Sequence, residues 1–114
     1  MTRAVFKKSE KLYYSFEVKG HAGFATFGSD IVCAGISTAV IMSVNLLDKL
    51  IPHLFEVIQN DAEGYICLRN IQYSKMDDVS IKYVQIVIDN LVETLQAIQA
   101  NYQNHLKVKI ENNN

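Results

Sequence analysis

Residues 20–37 read GHAGFATFGSDIVCAGIS, and the 114-residue chain is organised around them. The stretch begins as a loop, because three of the chain's five glycines fall in its first nine positions. An apolar helix follows. Asp30 lies at the junction, where a short carboxylate can accept hydrogen bonds from the unpaired amides of the first helical turn. The stretch therefore predicts a loop that begins at His21 and delivers Cys33 into the first turn of a helix.

Cys33 and His21 are a candidate catalytic pair. A thiol in the first turn lies near the positive end of the helix dipole and near free N–H groups, and both favour the nucleophilic thiolate. His21, brought back to it by the loop, can act as general base and then as the acid for a leaving amine. The N–H groups around Cys33 are also placed to stabilise an oxyanion. The alternative is a small apolar thiol and an ordinary surface histidine.

Two segments carry a resemblance to a known family. Residues 20–22 read Gly-His-Ala at the end of a strand, and residues 28–34 read Gly-Ser-Asp-Ile-Val-Cys-Ala at the start of a helix. With Ser37 three positions on, the chain resembles the ribosomal-processing cysteine proteases. Gly35 departs from the family pattern, in which a second alanine is frequent; this weakens the helix but removes no reactive group.

The resemblance implies a function. It makes the chain a cysteine endopeptidase that removes the N-terminal extension of a large-ribosomal-subunit protein, with Cys33 as nucleophile and His21 as general base and acid. It also implies a homodimer, and no metal or organic cofactor. The runner-up is a non-catalytic, dimeric, ribosome-associated binding module. A redox-sensing thiol protein is a third and weaker interpretation, because no resolving cysteine lies near Cys33 in sequence.

Four residues have supporting roles with alternatives. Asp30 caps the helix, and whether it also orients His21 is open. The Ser37 hydroxyl lies one turn after Cys33, where a bond back to the Cys33 carbonyl is the favoured interpretation; the resemblance adds a substrate contact as the second. Gly23 and Gly28 are candidate hinges around an aromatic segment, which is either anchored by its phenylalanines or moves as a flap.

Composition limits the other classes of function. Eleven basic and twelve acidic residues give a net charge of −1, which does not predict direct nucleic-acid binding. No metal-ligand spacing joins the two cysteines to the three histidines. The apolar stretch 31–47 is interrupted by polar residues, and the N-terminus lacks the apolar core of a signal peptide, so we expect no membrane contact. A free reactive thiol fits a reducing cytoplasm.

The periodicity predicts seven elements in an α+β fold, in the order strand, strand, helix, strand, strand, helix, strand, with a mixed or antiparallel sheet packed against two helices. The predicted bounds are strands over 3–8, 12–19, 54–59, 65–70 and 106–110, and helices over 31–50 and 77–102. The apolar first helix is expected to be buried on more than one face. Residues 1–110 form the single protease domain and 111–114 a polar tail. Cys67 is interpreted as a buried structural thiol, and His105 as a cap on the preceding helix.

Overall fold

The computed structural model describes residues 1–26 and 30–113 as an α+β fold, with the predicted order of strands and helices. The main elements are β1 (Thr2–Ser9), β2 (Leu12–Lys19), α1 (Ile31–Leu50), β3 (Glu56–Asn60), β4 (Tyr65–Arg69), α2 (Asp78–Asn101) and β5 (Leu106–Asn112). The five strands form one sheet in the order β3-β4-β2-β1-β5. The sheet is mixed, because β1 pairs parallel with β5 while the other neighbouring strands are antiparallel.

One face of the sheet carries the core. Period-two alternation turns Ala4, Phe6, Phe16, Leu68 and Leu106 to the same side, and all five are buried. The buried residues of both helices join this cluster, so α1 and α2 cover that face together. On the opposite face, Arg3 pairs across the sheet with Lys19 on one side and Lys107 on the other. These three side chains are exposed.

The first helix is less buried than its composition predicts. Its buried residues form one stripe: Val32, Ile36, Val40, Ser43 and Leu47. The expectation of burial on more than one face is wrong, because Ile41 and Met42 are 52% and 67% exposed. In a two-layer fold, a helix buries only the side that meets the sheet and its neighbouring helix. By length and composition α1 also resembles a membrane-spanning helix, with a mean hydropathy of 1.8.

The second helix confirms the predicted stripe. Val84, Ile88, Leu91 and Leu95 are buried, and Val87 and Val92 widen the buried surface. A polar contact fixes the helix against the sheet: the Tyr13 hydroxyl donates to Asp89 Oδ1 at 2.6 Å. Burial and this acceptor raise the pKa of Tyr13.

Two strand boundaries differ by two residues from the predicted ones, and the other strand boundaries agree to within one residue. β3 begins at Glu56 rather than Leu54, because the Leu54 carbonyl accepts a hydrogen bond from the Gln72 N–H at 2.8 Å, outside the ladder. β5 continues beyond Ile110 to Asn112, and the Asn113 N–H donates to the Lys8 carbonyl at 2.7 Å. Pairing with β1 therefore orders residues that the sequence assigns to the tail.

Cys67 lies on the open face of the sheet. Its neighbour Leu68 is buried in the core, so Cys67 points the other way and is half-buried. The interpretation of Cys67 as a core thiol is therefore wrong, because an apolar neighbourhood in sequence does not tell which side of a strand a residue takes. The Cys67 thiol beside the Tyr65 hydroxyl is the main cause that raises the pKa of Tyr65 to about 12.

Candidate active site

The site begins where β2 ends against the β3–β4 turn. The Gly20 N–H donates to the Gly64 carbonyl at 2.9 Å. Gly20 has φ +95°, and a Cβ there would lie 2.7 Å from the Met1 carbonyl oxygen. Only glycine fits a left-handed position with backbone so close, so Gly20 fixes the direction in which the chain leaves the sheet.

His21 follows directly, beside the second hairpin. Gly64 has φ +60°, and a Cβ there would lie 3.0 Å from His21 Cε1. The imidazole therefore occupies space that any side chain at position 64 would fill. Sequence reasoning assigned Gly64 only to a turn and missed this contact. The two residues are 43 positions apart (64 − 21), and no local pattern links them.

Asp30 joins the loop to α1 through both of its carboxylate oxygens. Oδ1 accepts from the N–H groups of Val32 at 3.0 Å and Cys33 at 2.9 Å, which is an N-cap. Oδ2 accepts from the N–H groups of Phe24 at 3.0 Å and Ala25 at 3.4 Å, which belong to the loop. Burial alone would raise the pKa of Asp30, but these N–H donors, with Cys33 foremost, hold it below its usual value.

Cys33 is half-buried in the first turn of α1. The Ala22 N–H points at its Sγ with an N···S distance of 3.2 Å. A main-chain donor at this distance stabilises negative charge on the sulfur. Because Ala22 follows His21 directly, the same contact brings the chain segment of the histidine to the cysteine.

An open groove of about 660 Å³ runs beside these residues. His21 and Cys33 both line it. On one wall, Ser37 and Ile41 continue from Cys33 at intervals of four along α1. The β3–β4 hairpin supplies the other wall, which includes Gln59, Asp61, Tyr65 and Ile66. The hairpin's part in this groove has no sequence signal apart from its turn.

The supporting residues are placed as follows. Ser37 lines the groove, and in the part of the chain that the structure describes its hydroxyl makes no hydrogen bond. The predicted bond back to the Cys33 carbonyl is therefore wrong; the neighbouring Thr38 makes such a bond instead, to the Ala34 carbonyl at 2.8 Å. Gly23 has φ +70° and also lines the groove. Gly28 lies outside the described residues.

His105 has a different contact from the predicted one. Its ring Nδ1 lies 3.0 Å from the Ala22 carbonyl oxygen, 83 residues away in sequence. The Phe24 ring packs edge-on against His105 and Tyr102, with centroid distances of 5.3 and 5.4 Å. The prediction of a helix cap is wrong for the side chain, because the ring turns towards the loop. Residues 22–25 are thus anchored by Phe24, His105 and Asp30 in this conformation.

This arrangement defines a class of protein. A thiol at a helix N-terminus, contacted by a main-chain N–H and sharing a peptide-sized groove with an imidazole, has the parts of a thiol-dependent hydrolase. Among residues 1–26 and 30–113, no group of three or more His, Cys, Asp or Glu side chains is arranged to hold a metal ion.

Comparisons with known proteins agree with that class. The sequence model of the family described as Cysteine protease Prp matches residues 1–107, and the chain belongs to that family of cysteine proteases. Ribosomal processing cysteine protease Prp of Bacillus subtilis (strain 168) is 32% identical over 111 residues, which cover 95% of this chain and 96% of that protein. The protein of the same name from Staphylococcus aureus is 27% identical over 89 residues, or 78% of each chain.

Solved structures share the fold. SMU.848 from Streptococcus mutans superimposes with a TM-score of 0.81 at 26% identity and covers 99% of this chain and 96% of its own. The protease Prp from S. aureus, in complex with a covalently linked product peptide, gives a TM-score of 0.83 at 22% identity, over 97% of this chain and 100% of its own. The resemblance found in residues 20–37 is therefore confirmed across nearly the whole chain.

Proposed function

We propose that this protein cleaves the N-terminal extension from a large-ribosomal-subunit protein, with Cys33 as nucleophile and His21 as general base and acid. One observation carries the proposal: Cys33 Sγ, at the start of α1, contacts the N–H that follows His21, and both residues line one groove. The B. subtilis and S. aureus relatives are named ribosomal processing proteases, which supports this class of substrate.

The reaction has two halves. His21 takes the thiol proton while Cys33 Sγ forms a bond to the scissile carbonyl carbon, whose π electrons move to oxygen. The oxyanion then collapses, the C–N bond breaks, and the imidazolium gives its proton to the departing amine. In the second half, His21 takes a proton from water, and the hydroxide attacks the thioester. The S–C bond breaks, the N-terminal fragment leaves as an acid, and the proton returns to sulfur.

The groove fits an extended peptide. Its volume of about 660 Å³ and its open side allow a chain to lie between α1 and the β3–β4 hairpin. Ile36, Val40 and Ile41 give apolar surface beyond Cys33, while Ser37 offers a hydroxyl one helical turn away. We assign Ser37 to a substrate contact, because its hydroxyl makes no bond within the described chain.

Asp30 has a structural part in this proposal. Its two oxygens are engaged by four main-chain N–H groups, from α1 and from the loop. We therefore assign it to holding the loop against the helix and not to orienting the His21 imidazole.

Incubation of the purified protein with precursor peptides, followed by mass spectrometry, tests the function. Wild type and Cys67→Ser should release the N-terminal fragment at similar rates, because Cys67 does not line the groove. Cys33→Ser should release none. His21→Ala should lower the single-turnover rate by roughly 100-fold or more with peptide affinity little changed. Cleavage by Cys33→Ser, or by none of the proteins, would contradict the proposal.

The proposal includes a homodimer. Ile31, Met42 and Leu46 are 61%, 67% and 46% exposed on the side of α1 away from the core, and apolar side chains grouped on a helix favour burial against a second copy. Sedimentation of wild type against Met42→Lys tests it: the wild type should sediment as a dimer and the variant as a monomer. A monomeric wild type at all concentrations would contradict it. The proposal also places the protein in the cytoplasm, where a free thiol stays reduced.

A further inference from the structure

Both polar main-chain groups of Ala22, the N–H and the carbonyl, make contacts with other parts of the chain. Its N–H donates towards Cys33 Sγ at 3.2 Å, and its carbonyl oxygen lies 3.0 Å from His105 Nδ1. The residue as a whole is 1% exposed. This residue carries no reactive side chain, so its position beside the sulfur matters through the backbone.

The three N–H groups of α1 around Cys33 are already engaged. The N–H groups of Val32 and Cys33 both donate to Asp30 Oδ1, and the Ala34 N–H donates to the Asp30 carbonyl at 3.0 Å. The sequence assigns these amides to an oxyanion site, and that prediction is wrong for this conformation because the cap occupies them. An oxyanion needs a donor aimed at the place where its charge develops.

The Ala22 N–H meets that need. The oxyanion of a thiol addition lies two bonds from the sulfur, so a donor in contact with Sγ lies within reach of it. As His21 takes the thiol proton, the same N–H faces the sulfur on which negative charge develops. A single donor therefore stays with the negative charge as the charge moves from sulfur to oxygen, and little reorganisation is required.

His105 holds this donor in place from another part of the fold. A carbonyl oxygen only accepts hydrogen bonds, so His105 Nδ1 carries the proton in its contact with Ala22. The main chain of His105 is itself fixed: its N–H donates to the Tyr102 carbonyl at 2.9 Å, and its carbonyl accepts from the Thr2 N–H at 3.0 Å. The Phe24 ring packs edge-on against the imidazole.

We propose that the Ala22 main-chain N–H is the oxyanion donor of the reaction, and that His105 is the positioning residue that holds it against Cys33. The inference rests on the proposed function, because it takes Cys33 as the nucleophile.

The first test replaces the His105 donor while keeping its shape. His105→Phe retains a ring against Phe24 but lacks Nδ1–H, whereas His105→Asn retains a donor near the same position. For cleavage of a precursor peptide, His105→Phe should lower kcat by about 100-fold with KM within about threefold of wild type. His105→Asn should recover most of that loss. His53→Asn is the matched control, because His53 is exposed outside the groove; it should equal wild type.

A second test acts on the donor itself. An amide-to-ester replacement at residue 22, made by protein ligation, removes only the N–H and leaves the side chain as it is. It should lower kcat as much as His105→Phe does. This variant keeps the inference testable if His105→Phe does not fold.

A peptide aldehyde that ends at the residue before the cleavage site separates oxyanion support from general structure. Cys33 Sγ bonds to the aldehyde carbon, the π pair moves to oxygen, and His21 takes the thiol proton, so that the adduct oxygen carries the negative charge. This tetrahedral adduct should bind His105→Phe about 100-fold more weakly than wild type. The corresponding peptide acid, which forms no adduct, should bind both equally.

The outcomes distinguish the two proposals. If wild type cleaves and His105→Phe, folded by circular dichroism, keeps its kcat, the inference is overturned and the proposed function stands. Equal weakening of aldehyde and acid, or no recovery in His105→Asn, would also overturn it by making His105 a general structural residue. If Cys33→Ser cleaves, the proposed function fails first.

Discussion

The two helices of this protein begin with similar sequences, and only one of them meets the candidate active site. The start of α1 reads Asp-Ile-Val-Cys from Asp30, and that of α2 reads Asp-Asp-Val-Ser from Asp77. In both, the capping carboxylate accepts from the N–H three residues on, at 2.9 Å from Cys33 and 2.7 Å from Ser80. Cys33 and Ser80 are thus equivalent positions on the two helices.

The two helix N-termini differ in the residues that surround them. Asp30 is 8% exposed and also binds the N–H groups of Phe24 and Ala25, whereas Asp77 is exposed and binds only within its own helix. The Ala22 N–H contacts Cys33 Sγ, and Cys33 lines the groove, whereas Ser80 does not line that groove. A helix N-terminus therefore supplies a favourable field but not an active site. The loop, the imidazole and the groove supply the remainder.

The strongest test of this comparison is to exchange the two equivalent residues, Cys33 and Ser80. Cys33→Ser should lose all detectable precursor cleavage, because a serine there lacks the acidity of a thiol. Adding Ser80→Cys to that variant should restore nothing, although the new thiol has a cap and a helix dipole. Cleavage is measured by mass spectrometry, and Ser80→Cys alone is the control, with wild-type activity expected. Cleavage by the double variant would show that a helix N-terminus is sufficient.

The next largest difference is expected between substitutions of the two capping residues, Asp30 and Asp77. Asp30→Ala should lower kcat/KM by roughly 100-fold, because the loop that carries Ala22 and His21 loses its hold on α1. It should also lower the free energy of unfolding by about 1–2 kcal/mol through loss of the cap. Asp77→Ala should leave kcat/KM unchanged and have a smaller effect on stability. Urea unfolding and peptide kinetics give the two quantities. Equal kinetic effects of the two substitutions would contradict a special role for Asp30.

The smallest effect is the pH dependence of stability. Both caps have a pKa below the ordinary value of 3.8, Asp30 because its N–H donors outweigh burial and Asp77 chiefly because of the Ser80 N–H. A carboxyl whose pKa is lower in the folded state stabilises the fold fully above its unfolded pKa, and that stability is lost as pH falls through the folded pKa. The urea midpoint of wild type should therefore fall between about pH 5 and pH 3.

The Asp30→Asn variant isolates the contribution of Asp30 to this pH dependence. An asparagine still caps a helix but does not titrate in this range. The urea midpoint of the variant should be lower than that of wild type at pH 5. Between pH 5 and pH 3 it should fall by less than the wild-type midpoint does. A midpoint that falls in parallel with wild type would mean that Asp30 contributes nothing to acid unfolding.

The sequence predicted best where cause and effect lie close together in the chain. The N-cap at Asp30 and the bounds of α1 depend on a few adjacent residues, and both hairpins depend on short turns between alternating segments. The side that α1 exposes was not predictable, because apolar composition does not tell how many layers cover a helix. The same limit applies to Cys67, whose neighbours in sequence lie on both faces of the sheet.

The site was predictable only in its local half. Residues 20–37 contain Cys33 and His21, and their family resemblance is specific. The contacts of Gly64 with His21 and of His105 with Ala22 join residues 43 and 83 positions apart, so no periodicity or motif reveals them. Only the folded sheet, which brings the β3–β4 turn and the start of β5 to the end of β2, makes them neighbours.

The parallel pairing of β1 with β5 has a consequence for synthesis of the chain. Thr2 pairs with Leu106, so one side of the first strand has no partner until the ribosome has made almost all of the described residues. His105 lies immediately before that strand, and its bond to Ala22 belongs to the same late group of contacts. A nascent chain that already contains Cys33 and His21 therefore lacks the contact that holds the Ala22 segment against the thiol. The finished protease geometry arises only when the first and last of the described strands pair.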